Sequence, residues 1–379
     1  MKSIILVLTA VLILVSFSFA GNDPATVYDR FVTFSPSVTA LAMGKTGVSY
    51  TTSDNFYYNP ANLGLLAFKN KMNMGGYLKK ADLLSTEIYS SHITFPIHLR
   101  DNFKIGIGYS YFKIGTEVME TTEEFPDGTG NIFFAGDHIH RLGIGAGLKK
   151  KFDLALGAGL TYVKEDLGDL NNNAIAFDLG GRLGYSIIMP AANDKNKFSF
   201  FPSLGFSYTN LGGTKDNNTL SIGDRPVRPI RTETELPNIL RYGISNKVAY
   251  SKITNDFEHE YISLLLSFEI EDSQENSSSY GAMGVELAVL EILKLRAGKS
   301  NGNDFIGWNY KSKGYSLSCS GIKKLLAGEN YDPQKWYNRT NLIFTFSRQS
   351  YNSNMEIFEW EIGEKVNRDY YELIVGVDI

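Results

Sequence analysis

Two histidines stand two residues apart in the run Asp137-His138-Ile139-His140. In an extended strand, residues i and i+2 point to the same face about 7 Å apart, so this pair has the spacing of two metal ligands. Zinc sites use three or four protein ligands, and the sequence offers no third ligand at a recognisable spacing. We interpret both residues as strand histidines at a membrane-water boundary and predict no metal site and no cofactor.

Catalytic motifs are the next source of chemistry. The sequence contains no Gly-x-Ser-x-Gly, no His-x-x-x-His and no complete phosphate-binding loop, the patterns that position a nucleophile, two metal ligands or a phosphate. Its single cysteine, Cys319, lies in a Gly/Ser-rich run with a strand pattern, which favours a small wall residue over a reactive thiol. We therefore predict that the protein is not an enzyme and has no catalytic residues.

The elements that must position the side chains of this chain are β-strands. Apolar and polar residues alternate from Tyr261 to Ile270, and the pattern recurs over 103–111 and 142–148. Glycines and charged residues oppose the apolar row, as in a membrane barrel with a lipid-facing outside and a polar inside. We predict an all-β fold, an antiparallel transmembrane β-barrel of about 14 strands, near residues 71–79, 86–97, 102–112, 139–149, 151–162, 174–188, 198–209, 240–250, 259–270, 280–290, 292–300, 313–321, 340–349 and 369–379.

Long polar runs separate the predicted strands and are predicted loops. They are residues 115–135, 164–173, 212–235, 302–313 and 352–368. The first of these is acidic, whereas the third carries arginines among prolines. If both lie at the same end of the barrel, their opposite charges would suit the docking of a protein partner. The alternative, of equal weight, is that the two loops pair with each other and cap the barrel.

The composition limits the function classes. The 379 residues include 22 Tyr, 24 Phe and 36 Gly but only 3 Trp, and beyond residue 20 no run of 18 apolar residues predicts a transmembrane helix. With 37 Lys and Arg against 41 Asp and Glu, no basic block indicates nucleic acid as a partner. One cysteine allows no internal disulfide, so we expect stability from a closed hydrogen-bond network.

The N-terminal 20 residues have the pattern of a secretory signal. Lys2 precedes an apolar stretch, and Ser18-Phe19-Ala20 is a small-x-small cleavage site before Gly21. We predict an exported protein of the outer membrane of a diderm bacterium, cleaved near Ala20/Gly21. Outer-membrane lipids are then a partner, and nucleic acid is not.

Charged residues of both signs fall on the predicted inner faces of the strands. An ion channel usually shows one dominant sign at its constriction, so the mixture favours a salt-bridge network, with a substrate path as the alternative. The positions are Lys104, Arg141, Lys149, Asp153, Asp178, Arg182, Glu269, Glu286, Lys294, Arg296 and Glu372.

The stretch from Ser35 to Leu66 is too short and too rich in glycine to form its own core. Ser37 is a candidate N-cap for a helical turn over residues 39–43 that Gly44 would end. Ser53 or Asp54 is a candidate cap for a second turn over residues 55–57, which Pro60 would end.

The same stretch resembles the N-terminal hatch of FadL-like outer-membrane barrels, most closely the PorV/PorQ-type branch and a related spirochaete family. The matching positions are Gly44, Gly47, Asp54, Asn59, Pro60 and Ala61. The resemblance implies a plug of short helical turns inside the barrel, with the Asn-Pro-Ala turn against the inner wall. It gives three parts: a signal peptide (1–20), a hatch (21–70) and a barrel (71–379).

The resemblance extends into the predicted barrel, through the runs FDLG, LPNILRYGI and LKLRAG. The family-like positions there are Asp178, Gly180, Pro237, Arg241, Gly243 and Arg296. Two functions follow from the resemblance. The PorV/PorQ type implies a non-enzymatic component of protein secretion, type IX-like, or of cell-surface attachment that binds exported or secretion-system proteins. The FadL type implies hatch-gated transport of a hydrophobic ligand.

Overall fold

The structure, a computed structural model, describes residues 35–80, 87–119, 130, 132–167, 170–190, 196–217, 232–254, 257–273, 278–302, 310–327, 338–352 and 365–378. The predicted signal peptide and residues 21–34 of the predicted hatch lie outside these ranges. We call residues 35–70 the hatch segment. It precedes a wall of antiparallel strands.

The strands alternate in direction and follow one another around the wall. Their bounds are β1 Lys71–Lys80, β2 Glu87–Arg100, β3 Phe103–Met119, β4 Ile132–Lys149, β5 Phe152–Leu167, β6 Leu170–Tyr185, β7 Ile187–Pro190, β8 Asn196–Leu211, β9 Thr214–Asn217, β10 Thr232–Glu235, β11 Ile239–Thr254, β12 Phe257–Ser273, β13 Ser278–Val289, β14 Leu293–Gly302, β15 Tyr310–Ser318, β16 Thr340–Asn352 and β17 Lys365–Asp378.

The sheet closes on itself and forms a barrel. β17 pairs with β1, and β8 pairs with β11, so neither edge of the sheet is left open. β6 and β7 both pair with β8 and act as one wall strand interrupted at Ser186, while β9 and β10 form a separate hairpin; the wall therefore has fourteen strands. Closure lets each strand bond to a neighbour on both sides, which a membrane barrel requires. The predicted fold class is confirmed.

The predicted alternation is confirmed on β12. Ser263, Ser267 and Glu269 are buried and point inward, whereas Leu264 and Phe268 are exposed on the outside. A side-chain period of two separates the two faces of one strand in this way. The outer surface is therefore the apolar face of the wall.

The two ends of the barrel differ in their connections. We call the end where β1 begins and β17 finishes the terminal end, and the opposite end the loop end. Residues 120–131 and 218–231 both attach to strands at the loop end. The acidic and basic loops predicted from the sequence are therefore connected at the same end, although most of each lies outside the described residues.

Several predicted loop boundaries are wrong because strands extend into them. The predicted loop 164–173 is mostly strand, since β5 and β6 pair as far as Leu167 and Leu170. The predicted loop 212–235 contains the β9–β10 hairpin. Tyr310 and Lys365 likewise start β15 and β17 inside predicted loops. Polar side chains in a strand that projects beyond the membrane look like loop residues in sequence.

The described residues include three short helices: α1 Val38–Ala42, α2 Asn62–Leu66 and α3 Cys319–Ala327. Single 3₁₀ turns cover Asn55–Tyr57 and Ala67–Lys69. Within the described ranges, no helix combines the length and the hydropathy that a membrane crossing needs. The prediction that Cys319 lies in a strand is wrong, because β15 ends at Ser318 and Cys319 starts α3.

The predicted helical turns of the hatch segment are confirmed in position and partly wrong in chemistry. Ser37 caps α1 through its Oγ, which accepts from Ala40 N at 3.0 Å, and Gly44 follows at φ +71°. Asp54 makes no capping bond to the 3₁₀ turn that it precedes. The helix α2 was not predicted, because Pro60 ends one turn and also precedes the next.

Candidate functional site in the barrel lumen

The hatch segment packs directly on inward-facing glycines of the wall. A Cβ on Gly145 would stand 2.6 Å from Gly64 N, and one on Gly284 would stand 2.5 Å from Met43 O. Gly44 of the hatch segment approaches β14 equally closely, with Lys299 N 2.6 Å from its Cβ position. Because real Cβ atoms do not come this close to backbone atoms, these contacts need glycine.

Asp54 holds the hatch segment together from within. The Ser37 hydroxyl donates to Asp54 Oδ2 at 2.6 Å, and Thr39 N donates to the same oxygen at 3.3 Å. The Thr52 hydroxyl donates to Asp54 Oδ1 at 2.6 Å. The carboxylate thus joins the start of α1 to the middle of the segment instead of capping its own turn.

Glu269 of β12 joins the wall to the hatch segment. Gly47 N and Val48 N donate to Glu269 Oε2 at 2.6 and 2.9 Å. A carboxylate that accepts two backbone N–H groups makes a strong, charge-assisted contact. Glu269 was on the predicted inner face, but its contact with the hatch segment was not foreseen.

The Asn59-Pro60-Ala61 turn lies against β5 and β6. Asn59 Nδ2 donates to Val48 O at 2.9 Å and to Gly181 O at 3.1 Å, and Ala61 N donates back to Asn59 Oδ1 at 3.0 Å. Gly180 lies directly beneath, where a Cβ would be 2.9 Å from Pro60 Cδ. One amide side chain therefore bonds to both the hatch segment and the wall.

Two arginines from different wall strands approach Tyr57. The guanidinium carbon of Arg141 lies 3.8 Å from the centre of the Tyr57 ring, and that of Arg241 lies 5.3 Å from it. Arg241 also lies 5.2 Å from the Tyr58 ring. Burial raises the pKa of both tyrosines above the ordinary value. For Tyr57 this effect is larger than the opposing effect of the two arginines, which lower its pKa. Both rings therefore stay neutral and act as cation–π partners.

Charged residues pair across neighbouring strands on the side of the lumen formed by β11 to β16. Arg241 Nε lies 2.6 Å from Glu271 Oε2, and Arg296 Nε lies 2.7 Å from Glu286 Oε2. The Tyr280 hydroxyl donates to the same Glu271 oxygen at 2.6 Å. We call this surface the polar arc; its members are Arg241, Glu269, Glu271, Tyr280, Glu286, Arg296, Ser316, Thr345 and Ser347. Its pairs favour the salt-bridge network that the sequence suggested.

The opposite side of the lumen, near the loop end, carries a row of apolar side chains between buried polar ones. Phe112, Ile139, Val163 and Ala174 are register partners on the four consecutive strands β3 to β6. All four point inward and are buried. We call this surface the apolar arc; its members are Tyr77, Ile88, Phe112, Ile114, Ile139, Val163, Ala174, Ala176 and Tyr370. Val38 and Leu41 of α1 belong to the same cluster.

The apolar arc corrects the prediction of a polar barrel interior. Membrane barrels normally alternate apolar outside with polar inside. Here one apolar row crosses the inner face: Ile139 lies between the buried Asp137 and Arg141 on β4, and Val163 lies between Thr161 and Glu165 on β5. The sequence signal was present at Phe112 and Ile114, which continue an apolar run on the face that Ser110 and Gly108 had marked as inward.

Two of the remaining family-like positions, Asp178 and Pro237, bond to Asn210 of β8. Asn210 N donates to Asp178 Oδ1 at 2.8 Å, and its side chain donates to Pro237 O at 3.0 Å. Asn210 has φ +65°, a left-handed conformation that Asn tolerates better than most residues. Gly243 lies elsewhere, where a Cβ would be 2.8 Å from Val48 Cγ1. Sequence reasoning identified these partners but missed Asn210.

His138 and His140 lie on the outer face of β4, as the alternation predicts. Their Nδ1 atoms are 2.7 and 2.8 Å from the hydroxyls of Tyr111 and Tyr109. Across the described ranges, no group of three or more His, Cys, Asp or Glu side chains has the arrangement of a metal site. The two histidines are part of an aromatic cluster on the outer surface.

The chain matches no family model, and no curated protein matches it. Several solved outer-membrane barrels are similar to it. A TodX deltaS2S3 mutant, a monoaromatic hydrocarbon channel, is 12% identical, and the match covers 90% of this chain and 99% of that one with a TM-score of 0.46. For the toluene transporter TodX of Pseudomonas putida the values are 11%, 95%, 98% and 0.42. For a FadL homologue of Pseudomonas aeruginosa they are 10%, 94%, 100% and 0.39. These neighbours are FadL-family barrels, and the likeness is one of fold.

Proposed function

We propose that this protein is an outer-membrane barrel that admits a hydrophobic small molecule, with the hatch segment as its gate. The single observation that carries the proposal is the apolar arc. A barrel that passed ions or polar solutes would line its lumen with polar groups. Here one side of the lumen carries a row of aromatic and aliphatic side chains among polar ones, the mixture that small-molecule sites have.

The hatch segment supports the gating part of the proposal. Val38 and Leu41 of α1 pack in the same cluster as the apolar arc. A ligand would have to replace these two side chains, so it binds in the arc when α1 moves away. Apolar contacts are not directional, and one apolar group replaces another at little cost.

The secretion-associated role suggested by the PorV/PorQ resemblance depends on the loops that attach at the loop end. Their central parts, 120–129 and 218–231, lie outside the described residues. The charged loop residues that favoured this role therefore have no contacts among the described residues that would support it. The apolar arc is described side chain by side chain, and it favours transport.

A binding measurement tests the proposal. The full-length protein in detergent is titrated with N-phenyl-1-naphthylamine, which fluoresces in apolar surroundings. The double variant Ile139→Thr/Val163→Thr places hydroxyl groups in the apolar arc with little change in shape and should raise Kd about tenfold, which corresponds to 1.4 kcal/mol. The variant Leu41→Ala should lower Kd, because it weakens the competing contact of α1.

Ser347→Thr is the matched control, since Ser347 is an inward-facing, buried residue of the polar arc. It should leave Kd unchanged. If the probe fails to bind the native protein, or if all three variants bind it equally, the apolar arc is a structural core of the plug and not a ligand site.

A further inference from the structure

The helix α3 at the terminal end presents an apolar stripe. Ile322, Leu325 and Leu326 are 40%, 58% and 82% exposed. Their spacing of i, i+3 and i+4 places them on one face of the helix. An exposed row of this kind indicates that something outside the described residues covers it.

The other side of α3 is fixed to the barrel. Gly321 lies on the turn after β13, where a Cβ would be 2.7 Å from Leu290 O. Lys324 Nζ lies 2.6 Å from Glu291 Oε2, and Lys323 Nζ donates to Thr340 O at 2.8 Å. The apolar stripe therefore has a defined direction, because contacts to two different strand ends hold the helix.

The stripe continues the lipid-facing surface of the wall. The helix follows β15 directly, and the last outward residue of that strand, Leu317, is 44% exposed. Leu317 is the register partner of Leu293, the first outward residue of β14. The apolar outer face of the barrel thus reaches the point where α3 begins.

Aromatic residues mark the terminal end of the wall elsewhere. Phe152 and Tyr185 of β5 and β6 have ring centres 5.1 Å apart, and Phe198 of β8 lies 5.0 Å from Tyr250 of β11. Barrels carry such aromatic belts at the membrane-water boundary. At the same end of β14 and β15 the outward positions are leucines, and α3 stands beside them.

We propose that α3 lies along the lipid-water boundary at the terminal end of the barrel, with its apolar stripe among the acyl chains of glycerophospholipids. Lys323 and Lys324, on the rest of the helix surface, would then lie at the level of the head groups. The helix would anchor the short strands β14 and β15 where the aromatic belt is interrupted. The proposal concerns the outer surface and does not depend on what the lumen binds.

Site-directed fluorescence quenching tests this placement. The full-length chain with Cys319→Ser receives one new cysteine, labelled with bimane, and is reconstituted in phosphatidylcholine vesicles. The test positions are Leu326→Cys and Leu325→Cys. Leu342→Cys on the outer face of β16 is the lipid control, and Asp101→Cys, in an exposed turn at the same end, is the water control. Heat-modifiable migration on a gel checks that each variant is folded.

We expect lipids brominated on the acyl chains to quench the labels at 325 and 326 at least half as strongly as the label at 342. Iodide in the water should quench the label at 101 at least threefold more strongly than these two. Quenching of 325 and 326 by iodide would overturn the proposal, because the stripe would then face water. Protection from both quenchers would also overturn it, because a protein partner or a second copy would then cover the stripe.

Discussion

The two sides of the lumen hold the same hatch segment by different chemistry. The apolar arc of β17 and β1 to β6 shares a buried cluster with Val38 and Leu41 of α1. The polar arc of β11 to β16 contacts the rest of the hatch segment through Glu269 and Arg241, and Ser312 of β15 donates to Ala42 O at the end of α1. Apolar contacts can be exchanged for those of a ligand, but a buried ion pair that loses one partner destabilises the protein by about 3–5 kcal/mol. We infer that the polar arc fixes the hatch segment more firmly than the apolar arc does.

Removal of the whole predicted hatch should have the largest effect, because both arcs lose the hatch segment that they contact. A chain without residues 21–70 keeps β1 to β17, and a ring of about 14 strands is wider than its own side chains can fill. The variant should swell liposomes in a sugar solution, while the intact protein should not. Equal swelling rates for the two proteins would show that the hatch does not occlude the lumen.

Arg241→Ala weakens the polar arc alone. This substitution leaves the Glu271 carboxylate buried without its cation. It also removes the contact between Arg241 and the Tyr58 ring. We expect a loss of about 3–5 kcal/mol in the free energy of unfolding, measured from the urea midpoint of the heat-modifiable gel band. Replacing both partners, as Arg241→Met/Glu271→Leu, should recover most of this loss. If the Arg241→Ala variant is as stable as the native protein, the Arg241–Glu271 pair is not buried.

Gly145→Ala changes a packing contact between the wall and the hatch segment, between the two arcs. A Cβ at this position would stand 2.6 Å from Gly64 N and 2.7 Å from Pro60 O, so the hatch segment would have to move. Overpacking of this kind should destabilise the folded state by about 1–3 kcal/mol and allow slow swelling of liposomes. Gly281→Ala is the matched control, since nothing lies within 4 Å of its Cβ position. The same result for both glycines would contradict the docking contact.

Arg348→Ala should have the smallest effect. Arg348 pairs with Asp369 at 2.7 Å, but their side chains are 40% and 30% exposed, outside both arcs. Exposed ion pairs contribute little because water and salt screen them. We expect no measurable change in the urea midpoint or in liposome swelling. A shift as large as that of Arg241→Ala would show that burial does not separate the two kinds of pair.

The strands were predictable because the two faces of a barrel wall leave a period of two in the sequence. The run from Tyr261 to Ile270 gave the orientation of β12, and Ser37 and Gly44 gave the position of α1. The contacts of the site were harder to predict from the sequence. Glu269 was assigned to the inner face, but its bond to Gly47 N joins residues 222 positions apart, and local patterns do not contain such contacts.

Local patterns also failed where one residue served a distant partner. Asp54 precedes a 3₁₀ turn and has the type of a cap, yet it bonds to Ser37 because the fold brings the two together. Cys319 follows a strand pattern, yet it starts α3 because Gly321 fits against the turn near Leu290. In both cases tertiary packing decided between two local structures that the sequence allowed.

The sequence by itself determined the barrel class and the direction of the side chains on the strands with the clearest alternation, since alternation is a local property. Only the tertiary structure decided how the lumen is divided. Phe112, Ile139 and Val163 belong to three strands, and they form one surface because the register of β3 to β5 aligns them. Register depends on hydrogen bonds between strands, so the apolar arc exists only once the sheet has closed.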